Sequence, residues 1–597
     1  MKKLAFYLRE YRKESVLGPL FKLLEAFFDL LVPLVVAYII DYGIGEKRTD
    51  RIGWMCALLV GLALVGLACS ITAQFFAAKA SVGCATRLRH ALFAHIQRFA
   101  YEDLDRVGGS TLITRLTSDI NQIQNGLNLA LRLLLRSPFV VFGSMVMAFT
   151  IDVPSALIFA VAIPVLCIVV FGIMLLSIPL YRKVQAGLDR ILNTTRENLT
   201  GVRVIRAFCK EESEKEEFGR QNETLTAMQK FVGRLSALMN PVTYVIINAA
   251  TIWLIWQGAV QVDSGALTQG SVVALYNYMA QILVELIKMA SLIISITKAV
   301  ACAQRVEKVL DTEPSMEAPS GSSSAVPNNA APMVSFHDVS MTYPGAGAPS
   351  LSHVSFSAWP GETIGITGGT GSGKSTLVNL IPRFYDATDG QVEILGQNVK
   401  DLPLSHLRDT IGVVPQKAVL FAGSIRENMQ WGKKDAGDED IYKALDIAQA
   451  REIVEKKEGG LDFEVEQGGR NLSGGQRQRL TIARALLRDP SILILDDSAS
   501  ALDFATDAAL REALRTLRGS STVFLVSQRT MSLHSADRIL VLDDGELVGS
   551  GTHEELLKTC RVYQEIHYSQ FPEERPEGWQ DTLSPAPVSA VKGDHAV

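Results

Sequence analysis

The residues best suited to chemistry in this chain of 597 residues are a run of glycines closed by a lysine and two hydroxyls, Gly368-Gly369-Thr370-Gly371-Ser372-Gly373-Lys374-Ser375-Thr376. The run follows the apolar segment Thr363-Ile364-Gly365-Ile366-Thr367 and leads into Leu377-Val378, so the pattern predicts strand, phosphate-gripping loop and helix in that order. Glycine lets successive backbone N–H groups close around phosphate oxygens, and the following helix adds the positive end of its dipole. In such a loop Lys374 neutralises β/γ-phosphate charge and Ser375 offers its hydroxyl to Mg²⁺. Asp496 ends the apolar run Ile492-Leu493-Ile494-Leu495 and supplies the acidic partner of the same Mg²⁺ shell. A second tip, Leu472-Ser473-Gly474-Gly475-Gln476, precedes a helix expected over Arg477–Leu487 and offers another helix N-terminus to a γ-phosphate. One domain already has its own phosphate loop, so the economical reading is that this tip caps nucleotide held by a second domain.

These motifs all lie in the second half of the chain, where short apolar runs alternate with Gly, Asp and charged clusters as in a water-soluble α/β domain. The first half is dominated instead by long apolar stretches. Spanning hydrocarbon takes roughly 20 apolar residues in a helix, because lipid satisfies no backbone group. Six segments qualify, near Leu17–Ile40, Trp54–Ala77, Leu133–Ile151, Ala156–Leu180, Val242–Val260 and Ser271–Ile296. The connections after the second and fourth carry Lys79, Arg87, Arg89, Arg98, Arg106 and Arg115, then Arg182, Lys183, Arg190, Arg196, Arg203 and Arg206, which the positive-inside bias places in the cytoplasm. The short links Asp152-Val153-Pro154-Ser155 and Gln261–Gly270 have no Lys or Arg and are expected outside. Leu88, Leu92, Ile96, Leu192, Leu199 and Val202 fall at helical spacing, so helices should continue tens of ångströms into the cytosol. Met1–Glu14 reads as an interfacial amphipathic helix or as a solvated start.

Ionisable groups inside spans usually face protein or water rather than lipid. Glu25 and Asp29 place two acids on one face of the first span, while Glu285 and Lys288 share a face of the sixth. Each set either lines a substrate cavity or pairs as structural glue. Trp253 is an aromatic candidate for the same cavity, with packing or interfacial anchoring as its alternative. The net charge of −5 and the absence of a long Lys/Arg block argue against nucleic acid as a partner. Seven scattered cysteines without a CxxC pair suggest neither a zinc site nor a disulfide framework.

From Met333 to about Tyr568 the chain resembles an ATP-binding cassette domain, and the six spans resemble the exporter-type membrane domain fused ahead of it. The fold class implied is an α-helical six-span transmembrane domain fused to an α/β P-loop ATP-binding cassette domain: residues 1–312 for the membrane domain, 313–332 for a linker, 333–570 for the nucleotide-binding domain and 571–597 for a disordered tail. The resemblance implies ATP and Mg²⁺ as ligands, with Tyr343 stacking on adenine and Gln416 sensing Mg²⁺. It makes Leu472–Gln476 the signature that completes a partner's ATP site and Asp503 part of the segment crossing between paired sites. It also implies that the cytoplasmic connections carry coupling helices, the second, around Glu197–Phe208, typically docking on the partner's cassette. On pattern alone that segment is equally an ordinary amphipathic helix.

Two departures from the family pattern set the expected mechanism. Similar cassettes have a glutamate at the position of Asp497 to polarise the attacking water and a histidine at the position of Gln528 to contact the γ-phosphate. The aspartate carboxylate would sit about 1.5 Å short, and a displacement near 1 Å can cost on the order of a hundredfold in rate. The Gln528 amide donates a hydrogen bond but carries no imidazolium charge. Lys374, Gln416, Asp496 and Ser473 are intact, a selective pattern that resembles the hydrolysis-impaired subunit of heterodimeric bacterial exporters. The alternative is harmless drift, with Asp497 still acting as base. The expectation is a multi-pass cell-membrane half-transporter, N-terminus and cassette cytoplasmic, that pairs with a catalytically complete half-transporter to export hydrophobic or amphipathic small molecules. A non-catalytic ATP-binding subunit gating a membrane complex, and a siderophore-type importer on the same fold, are its rivals.

Overall fold

The structure is a computed structural model that describes residues 6–316, 330–517, 519, 521–576 and 579. Parts of three expected segments therefore lie outside the described residues: 1–5 of the interfacial helix, 317–329 of the linker, and most of the C-terminal tail. The chain divides into two compact units, one of residues 6–98 and 109–313, the other of residues 99–108 together with the described residues from Pro314 onward.

The first unit contains six helices long and apolar enough to cross a membrane. Each expected span lies inside one of them, and the helices run well past the apolar windows. Thr49–Ile96 and Val153–Thr200 are each uninterrupted over 48 residues, or about 72 Å at 1.5 Å per residue, against roughly 30 Å of hydrocarbon. The surplus takes in Arg87 and Arg89 on one helix and Arg182, Arg190 and Arg196 on the other. Only Asp152 separates the third long helix from the fourth; its carboxylate accepts from Ser155 N at 2.8 Å and caps the new helix. A six-residue helix, Val202–Ala207, joins Val153–Thr200 to the helix Glu211–Ala237; Val204 on it and Phe208 just after it are exposed. The inner seam of the unit is made of small and aliphatic residues together with Phe159 and Tyr278; the buried Tyr278 hydroxyl donates to the Leu30 carbonyl at 2.6 Å. At the start of the unit Glu14 pairs with Lys79 at 2.9 Å, and Glu10 pairs with Arg87.

The second unit contains twelve strands among its described residues: β1 (Val334–Met341), β2 (Leu351–Ala358), β3 (Thr363–Gly368), β4 (Asp389–Ile394), β5 (Gln397–Asn398), β6 (Ile411–Val414), β7 (Gly423–Ser424), β8 (Glu464–Val465), β9 (Ile492–Asp496), β10 (Thr522–Val526), β11 (Arg538–Asp543) and β12 (Glu546–Gly551). The principal sheet has the order β12-β11-β3-β10-β9-β6. It is parallel except for the edge pair β11/β12. β9 and β10 are buried along their whole length, as expected of inner strands covered on both faces, which is why they read as continuous apolar runs without alternation. A four-stranded antiparallel sheet, β2-β1-β4-β5, packs into the same core as β3 and the helix Lys374–Leu380. Ligands of open parallel sheets gather at the carboxyl ends of the strands. Here β3 ends at Gly368, β9 at Asp496 and β10 at Val526, two residues before Gln528.

The ten residues 99–108 belong to this unit through the helix Tyr101–Val107. Its buried Asp103 accepts from Ala100 N at 3.1 Å and from Ser315 N at 2.9 Å, which binds the helix to the chain entering the cassette. Tyr385 donates to Asp105 at 2.7 Å, and Tyr101 lies with its ring 4.7 Å from that of Phe384.

Candidate nucleotide site

The phosphate loop forms because β3 must turn sharply into a helix with no room for side chains. Gly373 sits at φ +94°, and a Cβ there would meet the Ser350 carbonyl at 2.5 Å, so this position excludes every other residue. The helix Lys374–Leu380 begins immediately after it. Lys374 folds back over the loop, its ammonium donating to the carbonyls of Gly368 at 3.0 Å and Gly369 at 2.5 Å and to Ser372 Oγ at 3.3 Å. Burial pushes its pKa down, opposed by the charges of Asp497 and Asp496. The lysine is thus a partly desolvated cation bonded to neutral oxygens, a state that an anionic ligand improves.

Ser375 donates to Asp496 Oδ1 at 3.1 Å. Asp496, at the end of β9, is buried; that burial, with Asp497 beside it, raises its pKa despite the serine hydrogen bond. A hydroxyl and a carboxylate converging at this distance are two hard oxygen donors, and the raised pKa marks a carboxylate that gains from a cation. These features fit Mg²⁺, which binds through one or two protein oxygens plus phosphate and water. Among the described residues no cluster of three or more His, Cys, Asp or Glu forms an all-protein metal cage. Asp497 adopts φ +47°, a left-handed conformation that Asp tolerates better than most side chains, and Gln416 donates to its carboxylate at 3.4 Å. Tyr343 is anchored beside the loop by a 3.1 Å hydrogen bond between its hydroxyl and Thr376 Oγ1, and its ring meets Tyr385 edge-on at 5.1 Å.

The fold therefore gathers Gly368–Thr376, Tyr343, Gln416, Asp496 and Asp497 at one end of the principal sheet. The other motif residues stand at separate helix starts. Ser473 caps the helix Gly474–Leu486: its hydroxyl accepts from Gln476 N at 3.3 Å while Gln476 Oε1 accepts from Ser473 N at 3.0 Å. The helix begins three residues earlier than the sequence suggests, because this reciprocal cap starts it at Gly474. Leu472 is buried, whereas Ser473 and Gly474 are exposed. Asp503 caps Phe504–Leu514, accepting from Thr506 N at 2.9 Å. Gln528 is exposed, and its side chain makes no hydrogen bond among the described residues. Its carbonyl instead accepts from Gln570 Nε2 at 2.7 Å, and Gln570 also accepts from Thr530 N at 3.1 Å. That hold on the segment from the C-terminal helix Arg561–Gln570 has no signature in the sequence.

In the first unit a row of ions crosses three helices. Arg136 donates to Asp29 at 2.9 Å and to Glu285 at 2.6 Å; Glu285 also accepts from Ser137 at 2.8 Å and pairs with Lys288 at 3.1 Å. Arg136 lies inside an expected span, and the argument that picks out Glu25 applies to it equally. Lys22, equally findable, pairs with Glu25 at 2.6 Å and donates to Ser70 at 3.2 Å. A cavity of about 570 Å³ is lined by Asp29, Arg136, Glu285 and Lys288, with valines and amides between them. Glu25 and Trp253 are not in its lining; Glu25 is turned to Lys22, and Trp253 is 56% exposed on another helix.

Comparison with known proteins accords with this geometry. The family model "ABC transporter transmembrane region" matches residues 15–286, and the model "ABC transporter" matches residues 351–500. An uncharacterized ABC transporter ATP-binding protein of Bacillus subtilis is 37% identical over 577 residues, covering 97% of this chain and 100% of the relative. One from Mycobacterium tuberculosis is 36% identical over 567 residues, covering 94% and 97%. An ATP-dependent lipid A-core flippase of Desulfotalea psychrophila is 34% identical over 482 residues, covering 81% and 84%. A solved bacterial Atm1-family ABC exporter with ATP bound shares the fold at a TM-score of 0.78 and 22% identity, covering 95% of this chain and 99% of that one. With a membrane domain of six apolar helices joined to a P-loop cassette, and with relatives matched along nearly their whole length, this chain belongs to the ABC transporter family and has the exporter-type half-transporter fold.

Proposed function

We propose that this chain is the hydrolysis-impaired half of a heterodimeric ABC exporter in the cell membrane, with its N-terminus and cassette in the cytoplasm and its domains divided near residues 312, 333 and 570. The observation that carries the reading is the pairing of an intact binding apparatus with a short catalytic one. Lys374, Ser375 and Asp496 converge where triphosphate and Mg²⁺ would lie, while Asp497 ends one methylene early and is already engaged by Gln416. Mg²⁺ held by Ser375 and Asp496 would supply charge neutralisation for the phosphates. Lys374 would exchange its carbonyl contacts for phosphate oxygens, Tyr343 would stack on adenine, and Gln416 would hold Asp497 in place. Asp497 would orient water poorly, and Gln528 would add a hydrogen bond without charge. ATP in this site then acts mainly as a clamp between cassettes. Ser473, Gly474 and Gly475 complete the site of the partner, whose own glutamate and histidine do the cutting, and Asp503 lies on the segment between the two. The exposed Val204 on the short helix Val202–Ala207 and Phe208 just after it suit docking onto the partner's cassette.

The cargo is read as a hydrophobic or amphipathic small molecule; similarity to a lipid A-core flippase supports a lipid-like one. The test is ATP turnover of the full-length chain, alone and as D497E/Q528H. The isolated chain should turn over slowly, and the double substitution should raise the rate roughly ten- to a hundredfold. Brisk hydrolysis by the isolated, self-associated chain at typical enzyme rates of about 10 per second would overturn the division of labour.

A further inference from the structure

The ionic row in the first unit is closed at its centre and open at its ends. Arg136 and Glu285 have side chains only 14% and 5% exposed and are bonded to each other, whereas Asp29 and Lys288, at the two ends, are 45% and 47% exposed at the cavity wall. Asp29 bonds Arg136 through one carboxylate oxygen, Oδ2, and Lys288 makes a single ion pair. Charge at membrane depth is costly unless it is paired or faces water, so half-exposed ends mark a polar lumen rather than a lipid face. Val32, Val36, Val140 and Val284 line the same cavity and offer apolar surface, while Asn277 and Gln281 add amides.

Two acids and two bases sum to zero. A ligand with one net charge would therefore leave an uncompensated charge in a low-dielectric site when it displaced water. An uncharged ligand would strip water from both ends and return hydrogen bonds without an opposite charge at either. We infer that this cavity binds a zwitterionic amphiphile, its cationic group at Asp29, its anionic group at Lys288 and its apolar portion against the valines. The inference rests on reading the membrane half as a small-molecule pathway, and it narrows the cargo from amphipathic to doubly and oppositely charged. Arg136 and Glu285 are positioning residues that hold the ends apart.

The test uses the full-length chain in nanodiscs of uncharged galactolipid, so that no bilayer lipid is itself a zwitterion. Binding of dodecylphosphocholine, the monoanionic diester methyl dodecyl phosphate and dodecyltrimethylammonium is measured by calorimetry without ATP, with water-soluble glycerophosphocholine as a fourth ligand. The zwitterion should bind roughly tenfold tighter than either singly charged amphiphile. D29N should weaken the zwitterion and the cation but not the anion, and K288Q should weaken the zwitterion and the anion but not the cation. Glycerophosphocholine binding as tightly as dodecylphosphocholine would overturn the amphiphile and its contact with the valines; binding that needs the tail would support it. Equal affinity for all three amphiphiles, or discrimination unchanged in both variants, would overturn the inference. Unchanged binding of a fluorescent ATP analogue verifies folding of each variant. Because calorimetry is done without hydrolysis, brisk turnover by the isolated chain would sink the proposed division of labour and leave this result standing.

Discussion

The phosphate end of the cassette and the ionic row of the membrane half bury charge in opposite ways. Lys374 is bonded to backbone carbonyls and a serine hydroxyl, and Asp496 to a serine hydroxyl, so neither has an opposite charge in hydrogen-bond contact. Arg136 and Glu285 are bonded directly to each other and to further ions on either side. The first arrangement holds charge in reserve for a ligand, at the cost visible in the lowered pKa of Lys374 and the raised pKa of Asp496. The second settles its charge internally and leaves only its ends to a ligand. Removing one charge should accordingly be cheap for the ligand-free fold in the cassette and expensive in the membrane half.

The largest effect is expected for Arg136→Met, which leaves Glu285 buried without its principal partner. Breaking such a pair costs about 3–5 kcal/mol, seen as a fall in the thermal midpoint of the protein in lipid nanodiscs, and R136M/E285M should recover most of it. A midpoint equal to that of the unmodified protein would mean that water reaches the row, and the contrast would collapse. Lys374→Ala should weaken ATP binding about 10- to 100-fold in a fluorescent-nucleotide titration, since charge-assisted contacts to phosphate are lost. It should not lower the midpoint of the ligand-free protein; a clear drop would show that the lysine is structural. Tyr385→Phe removes the hydrogen bond to Asp105 and should cost about 1 kcal/mol, read as faster hydrogen exchange over residues 99–108 with ATP affinity unchanged. A slope with pH is the smallest. Burial, His534 and His567 depress the pKa of His553, whose Nδ1 lies 2.7 Å from the Tyr563 hydroxyl, while Glu574 and Glu554 oppose the shift. A histidine kept neutral by the fold contributes stability that is present above its ordinary pKa of 6.5 and is lost as pH falls below it. Melting midpoints between pH 7.5 and 5.5 should decline less steeply in His553→Gln, and identical slopes would remove His553 from the account.

Legibility in the sequence followed the range of the interactions. The strand-loop-helix at Gly368–Thr376 and Asp496 after its apolar run depend on residues within a few positions of one another, so type and spacing disclosed them, whereas the reciprocal cap at Ser473 moved the expected helix start from Arg477 to Gly474. The pairing of Glu285 with Lys288, one helical turn away, was legible as one of two alternatives. The partner that dominates Glu285 was not: Arg136 lies 149 residues earlier on another helix. Separations of 42 and 280 residues likewise hid Gln570 behind Gln528 and Tyr385 behind Asp105, since no local pattern marks which polar side chain will meet which. Trp253, chosen for its aromatic surface, carries no information about which helix face meets the cavity, and that face is turned elsewhere.

The order of elements, the six apolar helices and the glycine-lysine loop were fixed by the chain's own residues, because hydropathy over about 20 residues and the glycine-lysine spacing act locally. Which charges neutralise one another, which remain open to a cavity and which side-chain amide holds the Gln528 carbonyl were decided only by the tertiary fold. Ion pairing and cavity formation depend on helices and strands brought side by side from distant parts of the sequence, and a buried charge takes its partner from whatever element packs against it.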